Sequence, residues 1–256
     1  MLTWPTINNK RPRQRPRQVL AFLLRAMEDS QSSKPPLRVV QVGANDGRLA
    51  DPLFPYFTQF GWKGWLFEPH PVYFRDLSNN YAELENVKTF NFGISDQPGE
   101  MELFHLSEEA RDNYPRWLRG CASISKERFE AALSVAKRGR DLDLDEADVA
   151  ATLVTLRRLD DALKAAKVKT FDALVVDVEG HEVSVLNSFD LSAAAPKLVV
   201  LEANGGKEDQ DAFCIEKMKD AGLTVFRVGD ELVGVRESEI TVDLEKLLHF
   251  LEFPQF

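Results

Sequence analysis

The segment from Gln41 to Gly47 reads Gln-Val-Gly-Ala-Asn-Asp-Gly and follows a short β-branched run. Glycines at 43 and 47 let a chain turn tightly after a strand and approach a ligand with no Cβ in the way, leaving amide N–H groups free to bind it. The same spacing also suits a turn that serves only strand-to-loop packing. Glu68 tips the balance toward a ligand: it ends the next apolar run, about 20 residues after the loop, where dinucleotide-type folds accept hydrogen bonds from ribose hydroxyls. The pair predicts a nucleoside-containing ligand at the carboxyl ends of two adjacent strands.

The nicotinamide fingerprint G-x-G-x-x-G uses its middle glycine to admit a pyrophosphate against a helix N-terminus. Here that position is Asn45, and the N-cap signal arrives only at Asp51. Asn45 and Asp46 suit a cofactor without phosphates, whose ammonium and hydroxyl groups want acceptors. This predicts S-adenosylmethionine in preference to NAD(P).

A second group, Asp177, Glu179, His181 and Glu182, falls where an apolar strand gives way to a helix, at the edge where open α/β sheets bind ligands. Methyl transfer needs alignment of acceptor and donor and removal of a proton. His181, with an unperturbed pKa of about 6.5, suits a general base, and it equally suits a backbone or substrate-orienting contact in a first helical turn. Asp177 and Glu179 could simply complement a helix N-terminus, worth about 0.3–1 kcal/mol, but Asp177 at the end of an apolar strand reads as functional. The oxygens of Asp177, Glu202 and Asn204 would suit Mg²⁺; they would equally cap the following loop, and a divalent cation is not favoured. Asp141, Asp143 and Asp145 resemble the start of a calcium loop, but Glu146 stands where the turn needs Gly and Thr152 where the loop needs Glu. His70 is placed at the cofactor's edge, while His105 and His249 read as ordinary surface or core residues.

The elements that position these groups alternate strand and helix, the mark of a mostly parallel sheet with helices on both faces. Helical spacing from Gln18 to Asp29 is followed by strands at Arg38–Val42, Trp62–Phe67 and Val87–Phe92, with helices opening at Asp51-Pro52 and spanning Pro71–Tyr81. In Asp172–Asp177 and Lys197–Glu202 the apolar residues run together without alternating, as in strands buried on both faces, with a helix beginning near Gly180 between them. After a helix around Asp211–Ala221, two strands flank Gly229 and Asp230, a hairpin signal that puts an antiparallel strand last. The stretch Met101–Leu163 interrupts the rhythm with one strand (Met101–Leu106) and one helix (Lys126–Arg138). It reads as an insertion without a core of its own.

The 256 residues fit one domain over 18–256 preceded by a basic, flexible arm over 1–17, in which Lys10, Arg11, Arg13, Arg15 and Arg17 lie among prolines. The rest of the chain is strongly acidic, which repels polyanions, so nucleic acid is not an expected partner. The apolar run Val19–Met27 is interrupted by Arg25 and too short for the roughly 20 residues of a membrane span. It lacks a cleavage site, and two cysteines, Cys121 and Cys214, are too few for a disulfide framework, so a cytoplasmic location is expected.

VVQVGANDG (39–47), FEPHP (67–71), FGISD (92–96), CASIS (121–125) and above all FDALVVDVEGHEVSVL (171–186) resemble the FkbM family of methyltransferases, a likeness spanning about residues 38–236. The resemblance implies a Rossmann-like class I methyltransferase fold with a seven-stranded sheet whose last strand is antiparallel, S-adenosylmethionine as donor, and a hydroxyl acceptor on a sugar or polyketide-like small molecule. It also implies that Gly43, Ala44, Asn45, Asp46 and Gly47 form the methionine-binding loop, that Glu68, with Pro69 and His70 beside it, accepts the ribose, that Ser95 and Asp96 meet the adenine side, and that Asp177 lies near the transferring methyl. Gln41 departs from the pattern, because methyltransferases of this class commonly carry an acid there. An NAD(P)-binding oxidoreductase and a non-catalytic, methyltransferase-like binding subunit stay open as rivals. An amino-methyltransferase of nucleic acids would show an Asp or Asn, Pro, Pro, aromatic run where Val178, Glu179 and Gly180 follow Asp177. The insertion, with Tyr114, Trp117 and Arg119, is expected to wall the acceptor pocket. The oligomeric state, a homodimer included, stays open.

Overall fold

The computed structural model describes residues 15–29, 35–49, 51–137, 148–203 and 208–239. In chain order its elements are α1 (Arg15–Asp29), β1 (Arg38–Val42), α2 (Phe54–Gln59), β2 (Lys63–Phe67), α3 (Pro71–Asn80), β3 (Val87–Phe90), β4 (Gly93–Ile94), β5 (Gly99–Leu106), α4 (Lys126–Lys137), β6 (Val149–Arg157), α5 (Leu159–Ala165), β7 (Ala173–Val176), α6 (Glu182–Asn187), α7 (Leu191–Ala194), β8 (Leu198–Glu202), α8 (Glu208–Asp220), β9 (Thr224–Val228) and β10 (Glu231–Val235). Among the described residues no helix is long and apolar enough to cross a membrane.

Seven strands form one sheet in the order β3-β2-β1-β7-β8-β10-β9. The pairs β3–β2, β2–β1, β1–β7 and β7–β8 are parallel, and β10 runs antiparallel to both β8 and β9. The apolar runs work because alternate residues face opposite helical layers. Val39, Ala173, Val175 and Val200 pack with Leu23 and Met27 of α1 and with Phe57 and Leu77 of α2 and α3. Val40, Val42, Leu174, Val176 and Val199 pack instead with Leu163 of α5, Leu186 of α6 and Met218 of α8. At the opposite edge from the site, Asp172 ties the starts of three strands: its Oδ2 accepts from the Arg38 amide at 2.9 Å and Nε at 3.1 Å, and its Oδ1 lies 3.3 Å from Lys197 Nζ.

Four features depart from the sequence reading. The first helix starts at Arg15, so Arg15 and Arg17 of the expected arm are helical, and residues 1–14 lie outside the described residues. Helix α2 opens at Phe54, not at Asp51; the Asp51 Oδ1 instead accepts from the Leu53 amide at 2.7 Å and braces the approach to the helix. Strand β6 was hidden because only Val154 and Leu156 along it are buried. It pairs with β4 and β5 in a separate three-stranded sheet. Finally, the insertion has a small core of its own, in which Phe129, Leu133 and Ala136 of α4 pack with Leu106, Tyr114 and Leu118. The acidic stretch Asp141–Glu146 lies outside the described residues, as do Asn204 and His249.

Candidate active site

A cavity of about 800 Å³ opens over the carboxyl ends of β1, β2, β7 and β8, walled on its outer side by the three-stranded sheet and the segment leading into α4. Its floor is set by the loop after β1. Gly43 has φ +81°, and a Cβ placed on it would lie 1.8 Å from the carbonyl oxygen of Asp177. Only glycine lets the ends of β1 and β7 approach so closely. Gly47, at φ +68°, backs onto α3, where a Cβ would lie 2.6 Å from Leu77 and 2.4 Å from Tyr81.

The loop differs from the expected amide cradle. Gly43 and Ala44 donate to the Phe67 carbonyl at 2.9 and 3.1 Å, Asn45 to Glu68 Oε2 at 2.8 Å, Asp46 to the Asn45 side chain at 2.7 Å, and Gly47 to the Ala44 carbonyl at 2.8 Å. All five N–H groups are engaged within the protein. Asp46, expected to offer an acceptor to the ligand, turns its Oδ1 onto the amides of Arg48 and Leu49 instead, at 2.8 and 2.6 Å. Asp46 and Gly47 brace the loop from outside the cavity lining, whereas Gln41, Gly43, Ala44 and Asn45 line it.

Glu68 sits at the end of β2, buried, with Oε2 on the Asn45 amide and Oε1 on the His70 amide, both at 2.8 Å. Burial pushes its carboxyl up to about 7, against the pull of those two amides. Pro69 lines the cavity beside it. His70 does not: its Nδ1 caps α3 by accepting from Val72, and its ring faces a smaller hollow, stacked on Tyr73 and edge-on to His105. Burial brings its pKa down to about 3. His105 is likewise buried, held by the Leu106 carbonyl and Thr152.

Beyond Pro69 the lining is apolar, formed by Gly93, Ile94, Leu103, Ile124 and Leu156. A Cβ on Gly93 would lie 2.6 Å from Leu156, so the glycine keeps this slot narrow without closing it. Ser95 and Asp96 stand behind it, outside the lining. Ser95 Oγ donates to Asp96 Oδ1 at 3.2 Å and is 3.0 Å from His181 Nε2. With the Ser95 hydroxyl hydrogen directed at Asp96, Ser95 Oγ is free to accept from His181 Nε2–H, the tautomer that leaves Nδ1 as the accepting nitrogen. Burial lowers the His181 pKa, so the ring is neutral near pH 7.

The acidic end of the cavity holds Asp177, Glu179, Glu202, Asp230 and Glu231. Asp177 and Glu202 are both pushed up, first by removal from bulk water and then by neighbouring carboxylates. Glu179 sits in the left-handed region at φ +53°, its carbonyl accepting from Ser123 Oγ at 2.8 Å. Glu182 points inward, fully buried, and accepts from the amides of Val178 and Gly180. It shapes the loop and does not line the cavity. Asn204, the third residue of the expected metal-ligand set, lies outside the described residues, while Asp177 and Glu202 do come together, with Glu179 as their neighbour.

Three acidic residues of the cavity, Asp51, Asp230 and Glu231, lie outside the site expected from the sequence. Asp51, expected as a helix N-cap, lines the cavity. Its Oδ2 accepts from Gln41 Nε2 at 3.1 Å, and burial raises its carboxyl to about 6. Gln41 Oε1 is buried with no hydrogen-bond partner among the described residues. Asp230 and Glu231 were read only as hairpin residues, and no spacing rule links them to the glycine loop. Of the insertion's expected residues, Trp117 reaches the cavity. Tyr114 is buried in the minor core against Asp148, and Arg119 contributes its carbonyl to Asn45 Nδ2 at 3.3 Å. Cys121 lines the cavity, but burial and Glu179 push its thiol up, away from the reactive thiolate.

A sheet of this order with its last strand antiparallel, and a cavity over the carboxyl ends of its parallel strands, defines the Rossmann-like fold of the class I methyltransferases. The sequence profile of the methyltransferase FkbM domain matches residues 41–232, and the chain belongs to that family. Among solved structures it is similar to the methyltransferase FkbM from Methylobacillus flagellatus KT, with 14% identity and a TM-score of 0.47 over 78% of this chain and 43% of that one. It is also similar to the N-terminal domain of human METTL16 in complex with SAH, with 12% identity and a TM-score of 0.45 over 86% of this chain and 70% of that one. The chain thus spans under half the length of the first of these structures. No curated protein shows a significant sequence match to it.

Proposed function

We propose that the cavity binds S-adenosylmethionine and that the protein methylates a hydroxyl of a neutral small molecule, a saccharide above all. The observation that carries this reading is the glycine loop. With all five of its amides engaged and α2 beginning only at Phe54, it offers a pyrophosphate neither N–H donors nor a helix N-terminus. It is bordered instead by carboxyls, Glu68 on one side and Asp51 on the other, which suit hydroxyls and an ammonium.

The residues present fit the cofactor's parts in turn. The apolar slot of Pro69, Ile94, Leu103 and Leu156 would hold the adenine, Glu68 would accept the ribose hydroxyls, and Asp51 with the unpartnered Gln41 Oε1 would hold the ammonium group. When bound, the cofactor supplies a methyl group activated by a sulfonium. The chain's own work is to align the acceptor and to take its hydroxyl proton. His181 serves as the base through Nδ1, its ring fixed by Ser95, and Asp177 orients the acceptor at the end of β7. The carboxyls at the acidic end of the cavity offer hydrogen-bond partners to hydroxyl groups, which favours a neutral polyol over an anionic conjugate. A chain whose two cysteines are both free suits a reducing compartment such as the cytoplasm.

Parallel calorimetric titrations with S-adenosylmethionine, S-adenosylhomocysteine and NAD test the proposal. Both sulfur compounds should bind and NAD should not. Glu68→Ala should weaken binding about 10- to 100-fold, as expected for loss of charge-assisted hydrogen bonds. Binding of NAD alone would overturn the reading in favour of an oxidoreductase.

A further inference from the structure

The acidic end of the cavity already has a cation. Asp177, Glu179 and Glu202 each bring one oxygen within 4.8 Å of the others, an arrangement into which a divalent ion would fit among oxygen ligands. Arg128 reaches into the same cluster from α4. Its Nη2 lies 3.0 Å from Glu179 Oε2 and 2.7 Å from Glu202 Oε2, and its Nε donates to the same Glu179 oxygen at 3.1 Å. A guanidinium stays charged at any working pH, and its donors diverge in a fixed plane, so one side chain can hold two carboxylates in a set geometry.

Independent features fix that side chain in place. The Arg128 amide donates to Ser125 Oγ at 3.3 Å at the start of α4, and the adjoining Phe129 is fully buried in the minor core. From the other side, Gly180 has φ +102°, and a Cβ there would lie 2.8 Å from Arg128 Cδ. The glycine after Glu179 therefore makes room for the arginine, while Ser123 holds the Glu179 carbonyl at 2.8 Å. Two segments of the insertion converge on one turn of the main sheet.

We propose that Arg128 is the resident cation of this cluster: it takes the place a divalent metal would occupy, holds Glu179 and Glu202 as a fixed pair beside Asp177, and keeps metal ions out. It is a positioning residue, because the groups it touches are the carboxylates and not the reacting atoms. The inference does not depend on which cofactor fills the rest of the cavity.

Titration with Mn²⁺ alone, at pH 7.5, tests it on the wild-type protein, Arg128→Met, Arg128→Gln and Arg128→Lys. S-adenosylhomocysteine affinity is measured on each as a separate reading. The wild type and the lysine variant should bind Mn²⁺ weakly or not at all. The methionine and glutamine variants should gain at least about tenfold in Mn²⁺ affinity, and adding Glu202→Gln should abolish the gain. A purely structural arginine would lower stability without creating a metal site. If Arg128→Met does not fold, Arg128→Gln, which keeps polar contact to the carboxylates, gives the same comparison. Wild-type binding as tight as the variants', or no gain in a folded variant, would overturn the proposal. Failure of every form to bind S-adenosylhomocysteine would count against the cofactor assignment alone.

Discussion

The backbone of Gly43 runs so close to Asp177 that a β-carbon on the glycine would stand 1.8 Å from the aspartate's carbonyl oxygen. The ends of β1 and β7 are therefore held together at the cavity floor by the absence of a side chain. The same contact puts the glycine loop next to the acidic end of the site.

Gly43→Ala should accordingly be far more damaging than an ordinary glycine substitution. Gly61 provides the control, because it also has a positive φ, +66°, yet a Cβ there meets nothing within 4 Å. Gly61→Ala should cost only the left-handed strain, about 1–2 kcal/mol, or a fall in Tm of about 2–8 °C in a chain of this size. Gly43→Ala adds a backbone clash that can be relieved only by parting two strands, so it should cost more than about 4 kcal/mol and yield little folded protein. Thermal melts of the two variants side by side check this, and equal melting points would show that the strand ends relax freely.

Glu68 sets a pH dependence whose sign follows from burial. Its folded pKa is raised from 4.5 to about 7, so between those values the folded state holds a proton that the unfolded state has lost. Stability is fully present below about pH 4.5 and falls as pH rises through 7, by about 3 kcal/mol from this residue. Glu68→Gln should flatten that decline, seen as a smaller drop in Tm from pH 5 to pH 8. Hydroxyl donors favour the ionised form, so a ribose-bearing ligand should bind wild type more tightly as pH rises over the same range. A parallel decline in both proteins would remove Glu68 as its source.

Asp51 should show opposite effects on stability and binding. Its carboxyl is raised to about 6 by burial, so at pH 8 ionisation costs the folded state about 3 kcal/mol. Asp51→Asn removes that cost and lets Gln41 rotate its unpartnered Oε1 onto the new amide. At pH 8 the variant should melt higher than wild type. If Asp51 holds the cofactor's ammonium, the variant should also bind S-adenosylmethionine about 10- to 100-fold more weakly. A higher Tm with unchanged affinity would leave Asp51 a purely structural role.

Much of this architecture was legible from local pattern. The apolar runs at 38–42, 173–176 and 198–202 alternate between two helical layers, and burial on both faces is what makes such runs continuous. The hairpin at Gly229 and Asp230 gave the antiparallel end of the sheet. The place of Glu68 at the end of β2 was legible because its distance from the glycine loop is fixed by one βαβ unit. Strand β6 was not, since half-exposed pairing in a small sheet leaves little apolar periodicity.

The sequence by itself determined which residue types meet at the strand ends, because chain connectivity and strand length carry Gly43, Glu68 and Asp177 to one edge of the sheet. Only the tertiary structure decided what those residues face. It turned Asp46 and the loop amides inward, sent His70 to a second hollow, and brought Asp51 against Gln41. It also delivered Arg128, 51 residues before Glu179 and 74 before Glu202, into the acid cluster. Side-chain direction and long-range ion pairing depend on how whole layers pack, and no local spacing encodes them.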